Sequence, residues 1–130
     1  MFKILLATDG SPHAKKVIRD AATIAAPLRA EVIVLTVEDW TAVDRDSGAK
    51  SKEALDQAVA AFKKSDITVV PLLRKGTKRP ADVIVKVANE FDVDLIILGS
   101  RGLRGIQEMF LGSVSHRVVH LAEKNVMVVK

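Results

Sequence analysis

The chain contains no cysteine, and only 4% of its residues are aromatic. Without cysteine it can form neither a disulfide framework nor a thiolate site for a metal or for redox chemistry, and its composition is compatible with a reducing compartment. Hydrophobic residues make up 48% of the chain, so the core must be built from Val, Ile, Leu and Ala rather than from stacked rings. The length of 130 residues predicts one domain spanning residues 1–130.

Long apolar runs are also missing. The first apolar run covers residues 4–7 and is interrupted at once by Thr8, Asp9 and Gly10, so it is far shorter than the apolar segment of a signal peptide. No stretch approaches the roughly 18 apolar residues of a membrane span. We therefore expect a cytoplasmic protein with no membrane partner.

The excess of positive charge is small, with a formal net charge of +4. Residues 74–79 hold four basic residues in six positions, and such a patch could attract phosphate polymers. No aromatic residue interleaves with these charges to stack nucleic-acid bases. We interpret the segment as a solvated loop and expect no nucleic-acid partner.

Strand and helix patterns alternate from one end of the chain to the other. Apolar runs predict five strands, at residues 2–7, 32–37, 67–73, 95–98 and 126–129. Between them, apolar positions spaced by three and four predict four helices, each with one apolar face toward the sheet. Runs that are almost continuously apolar are typical of a parallel sheet covered by helices on both faces. The predicted fold class is therefore α/β.

The strand order follows from one proline. Pro71 lies within the third strand and cannot donate to a ladder, so this strand should lie at a sheet edge. This favours the order 3-2-1-4-5, in which the winding reverses between strands 1 and 4 and a ligand site forms beyond their carboxyl ends. The last strand, whose end residues are Val126 and Val129, then forms the other edge. Its open ladder favours a homodimer.

Local signals place the helix starts and one long loop. Ser11 and Pro12 are a good N-cap and N1 pair, which predicts that the first helix begins directly after Asp9 and Gly10. Pro80 is expected to start the third helix in the same way. Residues 38–51, which include Trp40, are expected to form an irregular loop near the ligand.

A glycine-rich segment follows the fourth strand. It reads Gly99-Ser-Arg-Gly102, then nine residues, then Gly112-Ser-Val-Ser115. Glycines at 99 and 102 can adopt positive φ and allow close backbone approach to a ligand. The helix that starts after Gly112 offers free N–H groups and a positive dipole end, which suit phosphate oxygens. Taken alone, the same glycines could simply make turns, with a serine capping the helix.

Two common nucleotide motifs are excluded here. The segment lacks the Gly-Lys-Ser/Thr ending of a Walker A loop. A dinucleotide fingerprint should follow strand 1, where this chain has Thr-Asp-Gly-Ser at residues 8–11.

The spacing G-x2-G-x9-G-[S/T] resembles that of the single-domain, ATP-binding universal stress proteins. The start of the chain, Lys-Ile-Leu-Leu-Ala-Thr-Asp-Gly-Ser at residues 3–11, and the closing strand at residues 125–129 resemble the same family. Asn125 departs from the proline that many relatives carry there. The resemblance implies a Rossmann-like five-stranded parallel sheet, binding of ATP with Mg²⁺ accompanying the triphosphate, and a nucleotide-dependent regulatory role in stress response.

The resemblance also implies a set of nucleotide-binding residues. Those at the ends of the strands would form the adenine and ribose pocket, and those of the glycine-rich segment would hold the phosphates. The implied residues are Ala7, Thr8, Asp9, Val37, Leu98, Gly99, Arg101, Gly102, Gly112, Ser113, Val114 and Ser115. From its chemistry alone, Asp9 can accept hydrogen bonds from a ribose hydroxyl or an adenine amine, or it can cap a turn before Ser11. Without the resemblance, Val37 and Leu98 are core residues.

Dedicated catalysis is not predicted. The chain has no cysteine, and no serine stands in a G-x-S-x-G elbow, while some relatives hydrolyse ATP slowly. His116 and His120 are four residues apart on a helix but lack the H-E-x-x-H arrangement, so we expect exposed imidazoles and no metal. His13 is expected to be a surface residue. The alternative function is a nucleotide-independent interaction module on the same fold.

Overall fold

The computed structural model describes residues 1–39, 47–76, 79–101 and 111–130. Five strands and four helices alternate along these ranges. In chain order they are β1 (Lys3–Ala7), α1 (Ala14–Leu28), β2 (Glu31–Asp39), α2 (Ser47–Lys64), β3 (Thr68–Gly76), α3 (Pro80–Glu90), β4 (Leu95–Gly99), α4 (Ser113–Leu121) and β5 (Asn125–Val129).

The strands form one parallel sheet in the order β3-β2-β1-β4-β5. This confirms the predicted fold class and strand order. β1 lies at the centre, where Leu5 pairs in register with Ile33 of β2 and with Ile96 of β4. All three residues are fully buried, because helices cover both faces of the sheet.

Each face of the sheet has its own apolar core. On the face covered by α1 and α2, Ile4 and Leu6 pack with Phe62, which is fully buried. On the face covered by α3 and α4, Leu5 packs with Ile84 and other buried side chains. Successive β1 side chains therefore alternate between the two cores, as the strand period requires.

The edges of the sheet agree with the sequence. Pro71 lies in β3, an edge strand, and its side chain is exposed. β5 forms the opposite edge and starts at Asn125.

Pro80 starts α3 at the predicted position. No helix within the described residues is long and apolar enough to cross a membrane.

Two segments that the sequence predicts to be loops are in part strand or helix. β2 extends to Asp39 and α2 begins at Ser47, so only residues 40–46 of the predicted 38–51 loop remain outside these elements. β3 extends to Gly76, so the first half of the basic segment is strand. The reason is a continuous ladder of nine residue pairs between β2 and β3, in which the backbone bonds form whatever the side chains are. Residues 40–46, with Trp40, and residues 77–78 lie outside the described ranges.

The predicted start of α1 is also wrong. The helix begins at Ala14, and a turn closed by a 3.0 Å bond from Ala14 N to Ser11 O precedes it. His13 is the N-cap, and its side chain makes no capping bond. Ser11 is not the N-cap, because its hydroxyl makes no hydrogen bond among the described residues. The spacing of apolar residues by three and four also places Leu121 on the sheet-facing side of α4, but its side chain is 39% exposed.

Candidate functional site

The carboxyl ends of β1 and β4 lie side by side, at the point where the winding of the sheet reverses. The segment after β1 leads into α1, and the segment after β4 leads toward α4. In parallel α/β sheets this position is the usual place for a ligand. The predicted site residues follow these strand ends.

β1 is continued by one further ladder bond. Thr8 N donates to Leu35 O at 2.9 Å, and Thr8 is buried. Gly10 then adopts a φ of 74°, where a side chain is strained. A Cβ atom at Gly10 would lie 2.7 Å from the Cβ of Ala54 in α2. Gly10 is therefore needed both for its backbone conformation and for its packing against α2.

Asp9 takes part in the turn after β1. Its Oδ1 accepts a 2.9 Å hydrogen bond from Ser11 N, which is an Asx turn. The side chain is nevertheless exposed. A carboxylate has about four lone-pair positions, so the turn leaves Asp9 able to accept a further bond from a ligand hydroxyl or amine.

Two buried hydroxyl groups lie near this turn. Ser11 Oγ and Thr36 Oγ1 are both buried, and neither has a hydrogen-bond partner among the described residues. Thr36 lies within β2, three residues before the end of the strand at Asp39. Since buried hydroxyls normally find a partner, these two groups leave unpaired polar atoms in the buried region after β1 and within β2, where the apolar strand pattern gives no sign of them.

Ser100 joins the two ends of the glycine-rich segment. Its N–H donates to Val129 O of β5 at 2.8 Å, and its carbonyl accepts from Gly112 N at 2.8 Å. A Cβ atom at position 112 would lie 3.0 Å from Ser100 O. Glycine at 112 thus permits the close approach that this hydrogen bond needs.

The start of α4 presents backbone donors. Gly112 is the N-cap, and the first intrahelical bond runs from His116 N to Gly112 O at 2.9 Å. The N–H groups of Ser113, Val114 and Ser115 precede that bond, so the helix offers them no partner. The first turn contains no acidic residue, so the positive end of the helix dipole is not neutralised there.

The side chains of this first turn differ in their surroundings. Ser113 is exposed. Ser115 is buried, and its hydroxyl donates to Gly112 O at 3.1 Å. Val114 packs against the core on the α3 and α4 face. The hydroxyl of Ser115 is therefore occupied within the helix start, whereas its backbone N–H remains a candidate donor.

The remaining predicted residues lie around the same strand ends. Ala7 and Val37 are half-buried, Leu98 is buried, and all three pack with the core under α3 and α4. Arg101 is exposed at the end of a described range. Gly102 lies outside the described residues. The structure thus brings the β1, β2 and β4 ends together with the start of α4, while the ligand-binding roles of these residues stay predictions.

The structural reason why residue 99 is a glycine differs from the predicted one. Gly10 is the only glycine with positive φ in the described ranges, so Gly99 does not use that freedom. A Cβ atom at position 99 would instead lie 2.8 Å from His13 Cδ2 and 3.1 Å from Val17 Cγ2. Glycine at 99 therefore makes room for the imidazole of His13.

His13 was not expected to belong to this region. Its Nε2 lies 2.9 Å from Val129 O, and the side chain is half-buried rather than on the open surface. The contact joins residues 116 positions apart, and no local spacing in the sequence predicts it. His116 and His120 are exposed, as predicted.

Comparisons with known proteins agree with this architecture. The model of the universal stress protein family matches residues 1–130. A universal stress protein of Thermus aquaticus is 38% identical over 142 residues, covering 100% of both chains. A solved universal stress protein of Archaeoglobus fulgidus has a TM-score of 0.87 and 29% identity, covering 100% of this chain and 99% of that chain. Its structure in complex with dAMP has a TM-score of 0.83 and 28% identity, covering 100% and 98%.

Proposed function

This chain belongs to the universal stress protein family, and from that premise we propose that it binds ATP where β1 and β4 meet the start of α4. The bound nucleotide would change the protein's shape or its partners and would be hydrolysed slowly at most. The dAMP complex of the Archaeoglobus fulgidus relative supports an adenine nucleotide as the ligand. A cytoplasmic location stays a prediction.

One observation carries this proposal. The N–H groups of Ser113, Val114 and Ser115 have no partner in their own helix, and they begin directly after Gly112, which is bonded to Ser100 at the end of β4. Phosphate oxygens accept such bonds and are attracted by the helix dipole. Exposed Arg101 lies in the adjoining segment and can add a positive charge.

The sugar and base would lie toward β1 and β2. Asp9 can accept a hydrogen bond from a ribose hydroxyl while it keeps its bond to Ser11 N. Half-buried Val37, two residues before the end of β2, can offer apolar surface to the adenine ring, while the buried side chain of Leu98 belongs to the core at the end of β4. Mg²⁺ bound to a triphosphate would take most of its ligands from phosphate and water, because the described residues hold no group of three His, Cys, Asp or Glu side chains suited to a metal.

The decisive experiment identifies and titrates the ligand. The purified protein is denatured, the released small molecules are identified by mass spectrometry, and the protein stripped of ligand is titrated calorimetrically with ATP, ADP and AMP. We expect saturable ATP binding. At a concentration of 100 times the Kd, ATP should raise the free energy of unfolding by about 2.7 kcal/mol.

Two variants make the titration specific to the site. Gly112→Val should abolish binding, because its side chain would press on Ser100 O at the base of the helix start. Gly102→Val should do the same if the motif binds as in the family. His120→Ala alters an exposed residue of the same helix and serves as the control. A folded wild-type protein that binds none of the three nucleotides would favour the nucleotide-independent interaction module.

We also propose that the protein forms a homodimer through β5. This strand is a sheet edge of five residues, four of them apolar, and such an edge can pair with a second copy about a two-fold axis.

A further inference from the structure

The carbonyl oxygen of Val129, at the end of β5, accepts two hydrogen bonds from distant parts of the chain. One comes from Ser100 N at 2.8 Å. The other comes from His13 Nε2 at 2.9 Å. A carbonyl oxygen only accepts, so Nε2 of His13 must carry a proton. Both lone pairs of this oxygen are then used.

The imidazole of His13 is also fixed by shape. It fills the space beside Gly99, where a Cβ atom would lie 2.8 Å from its Cδ2. The ring is therefore held between the backbone at the end of β4 and the carbonyl at the end of β5. Of the first two residues of the glycine-rich segment, Gly99 packs against this ring and Ser100 bonds to the carbonyl that the ring binds.

Ser100 transmits this position to the helix start. Its N–H is bound to Val129 O, and its carbonyl is bound to Gly112 N, the N-cap of α4. The location of the free N–H groups at residues 113–115 relative to β4 thus depends on Ser100. The position of Ser100 depends in turn on the carbonyl of Val129, which also accepts the hydrogen bond from His13.

We propose that His13 is a positioning residue that fixes the base of the glycine-rich segment through Val129 and Ser100, and so keeps the α4 N–H groups in the arrangement that binds nucleotide. This inference rests on the proposed function for its ligand. The observed contacts of the His13 ring are with Gly99 and Val129, so its role is assigned through these residues and not through the ligand.

A neighbouring contact provides a matched control. Lys16 lies on the first turn of α1, and its Nζ donates to the main-chain oxygen of Lys130. This bond also ties α1 to the end of β5, but it does not involve Gly99, Ser100 or Val129. Lys16→Ala therefore loosens the same two elements without disturbing the base of the glycine-rich segment.

The test compares His13→Ala, His13→Gln, Lys16→Ala and the wild-type protein. Calorimetry gives the Kd for ATP, and amide hydrogen exchange gives the opening of Ser100 N–H and Gly112 N–H. Loss of one neutral hydrogen bond should weaken ATP binding by about threefold to tenfold in His13→Ala, with exchange at both amides faster by a similar factor. The glutamine amide can donate in place of Nε2, so His13→Gln should recover most of both losses. Should His13→Ala fail to fold, His13→Asn replaces it, because its shorter amide cannot reach Val129 O.

The results separate a positioning role from a merely structural one. Weaker binding and faster local exchange in His13→Ala, recovery in His13→Gln and wild-type values in Lys16→Ala support the inference. Wild-type affinity in His13→Ala overturns it, and so does an equal loss in Lys16→Ala. If the wild-type protein binds no adenine nucleotide, the proposed function fails. The exchange rates then decide the inference alone: faster exchange that glutamine restores supports it, and unchanged exchange overturns it.

Discussion

Gly99 and His13 are in direct contact at the carboxyl end of β4, and the contact leaves no room for a side chain at position 99. A Cβ atom there would lie 2.8 Å from His13 Cδ2, closer than two such carbon atoms can pack. The glycine that opens the family's motif therefore serves the packing of an imidazole in this chain.

Gly99→Ala should destabilise the protein through this contact. Forcing an extra carbon into a filled space typically costs about 1–3 kcal/mol. In a His13→Ala background most of that cost should disappear, since the closest clash is removed and only the 3.1 Å approach to Val17 Cγ2 remains. Urea unfolding of the two single variants and the double variant measures the coupling. Strictly additive costs would mean that position 99 requires glycine for some reason other than His13.

The charge of Asp9 and its hydrogen bond within the turn can be tested separately. Asp9→Asn keeps an oxygen that can accept from Ser11 N, so the urea midpoint should stay close to that of the wild type. Its ATP affinity should fall by about threefold to tenfold, because a bond to a charged acceptor is stronger than a neutral one.

The matched variant Asp9→Ala loses both features. Its unfolding midpoint should fall, and its ATP affinity should drop by about tenfold to a hundredfold. Calorimetric titration and urea unfolding of both variants give the comparison. If Asp9→Asn binds ATP as tightly as the wild type, the charge of Asp9 is not needed, and if Asp9→Ala does so as well, Asp9 serves the turn alone.

Local sequence signals predicted the sheet but not its full extent. Pro71 identified the edge strand, and the apolar runs identified all five strands. The ends of β2 and β3 were missed because Glu38 and Arg74 do not fit an apolar strand pattern, although their backbones pair within the same ladder. Strand propensity describes how side chains fit a pleated surface, so it gives no signal for charged residues that extend a ladder.

The arrangement of the candidate site follows the sequence prediction where it depends on spacing along the chain and differs from it where it depends on distant contacts, while its ligand-binding role stays a prediction. The glycines and the start of α4 follow a motif that can be read locally. The bond from His13 to Val129 spans 116 positions, and its geometry exists only once β5 is in the sheet. The bond from the Ser115 hydroxyl to Gly112 O is local, but the motif contains a serine at both positions and does not distinguish this occupied hydroxyl from the exposed hydroxyl of Ser113.

The proposed homodimer has a testable backbone basis. Val129 O points toward β4, since it accepts from Ser100 N. The N–H and C=O of one strand residue point to the same side, and neighbouring residues alternate, so the N–H groups of Val126 and Val128 point to the open edge. Sedimentation equilibrium should show a dimer at micromolar concentration, and Val128→Pro should dissociate it by removing one of these donors.

The opposite edge of the sheet provides the control for this experiment. Leu73 of β3 is 39% exposed, and Leu73→Asp should leave the dimer intact. Circular dichroism checks that both variants stay folded. A monomeric wild-type protein, or a dimer that persists in a folded Val128→Pro variant, would contradict pairing through β5.

Asp92 and Lys124 form an ion pair far from the proposed ligand. Asp92 follows α3 with a φ of 49°, and its carboxylate accepts a hydrogen bond from Lys124, just before β5. This hydrogen bond, together with the charge of Lys124, holds the pKa of Asp92 below its ordinary value. Because the folded-state pKa is lowered, the pair stabilises the protein fully above the unfolded pKa of about 3.9. The stabilisation is lost as the pH falls through the lower folded-state pKa.

Lys124→Met should therefore raise the pKa of Asp92 toward its ordinary value, as measured by NMR titration of the side-chain carboxyl carbon. The variant should be slightly less stable than the wild type at about pH 6, and this difference should shrink in acid below the lowered pKa, where Asp92 is protonated in both proteins. The difference should be small, because the Asp92 side chain is 86% exposed, and added salt should reduce it further. Lys86→Met changes an exposed lysine on α3 and controls for the loss of one positive charge. An Asp92 pKa that is the same in Lys124→Met and in Lys86→Met would show that the pair does not set it.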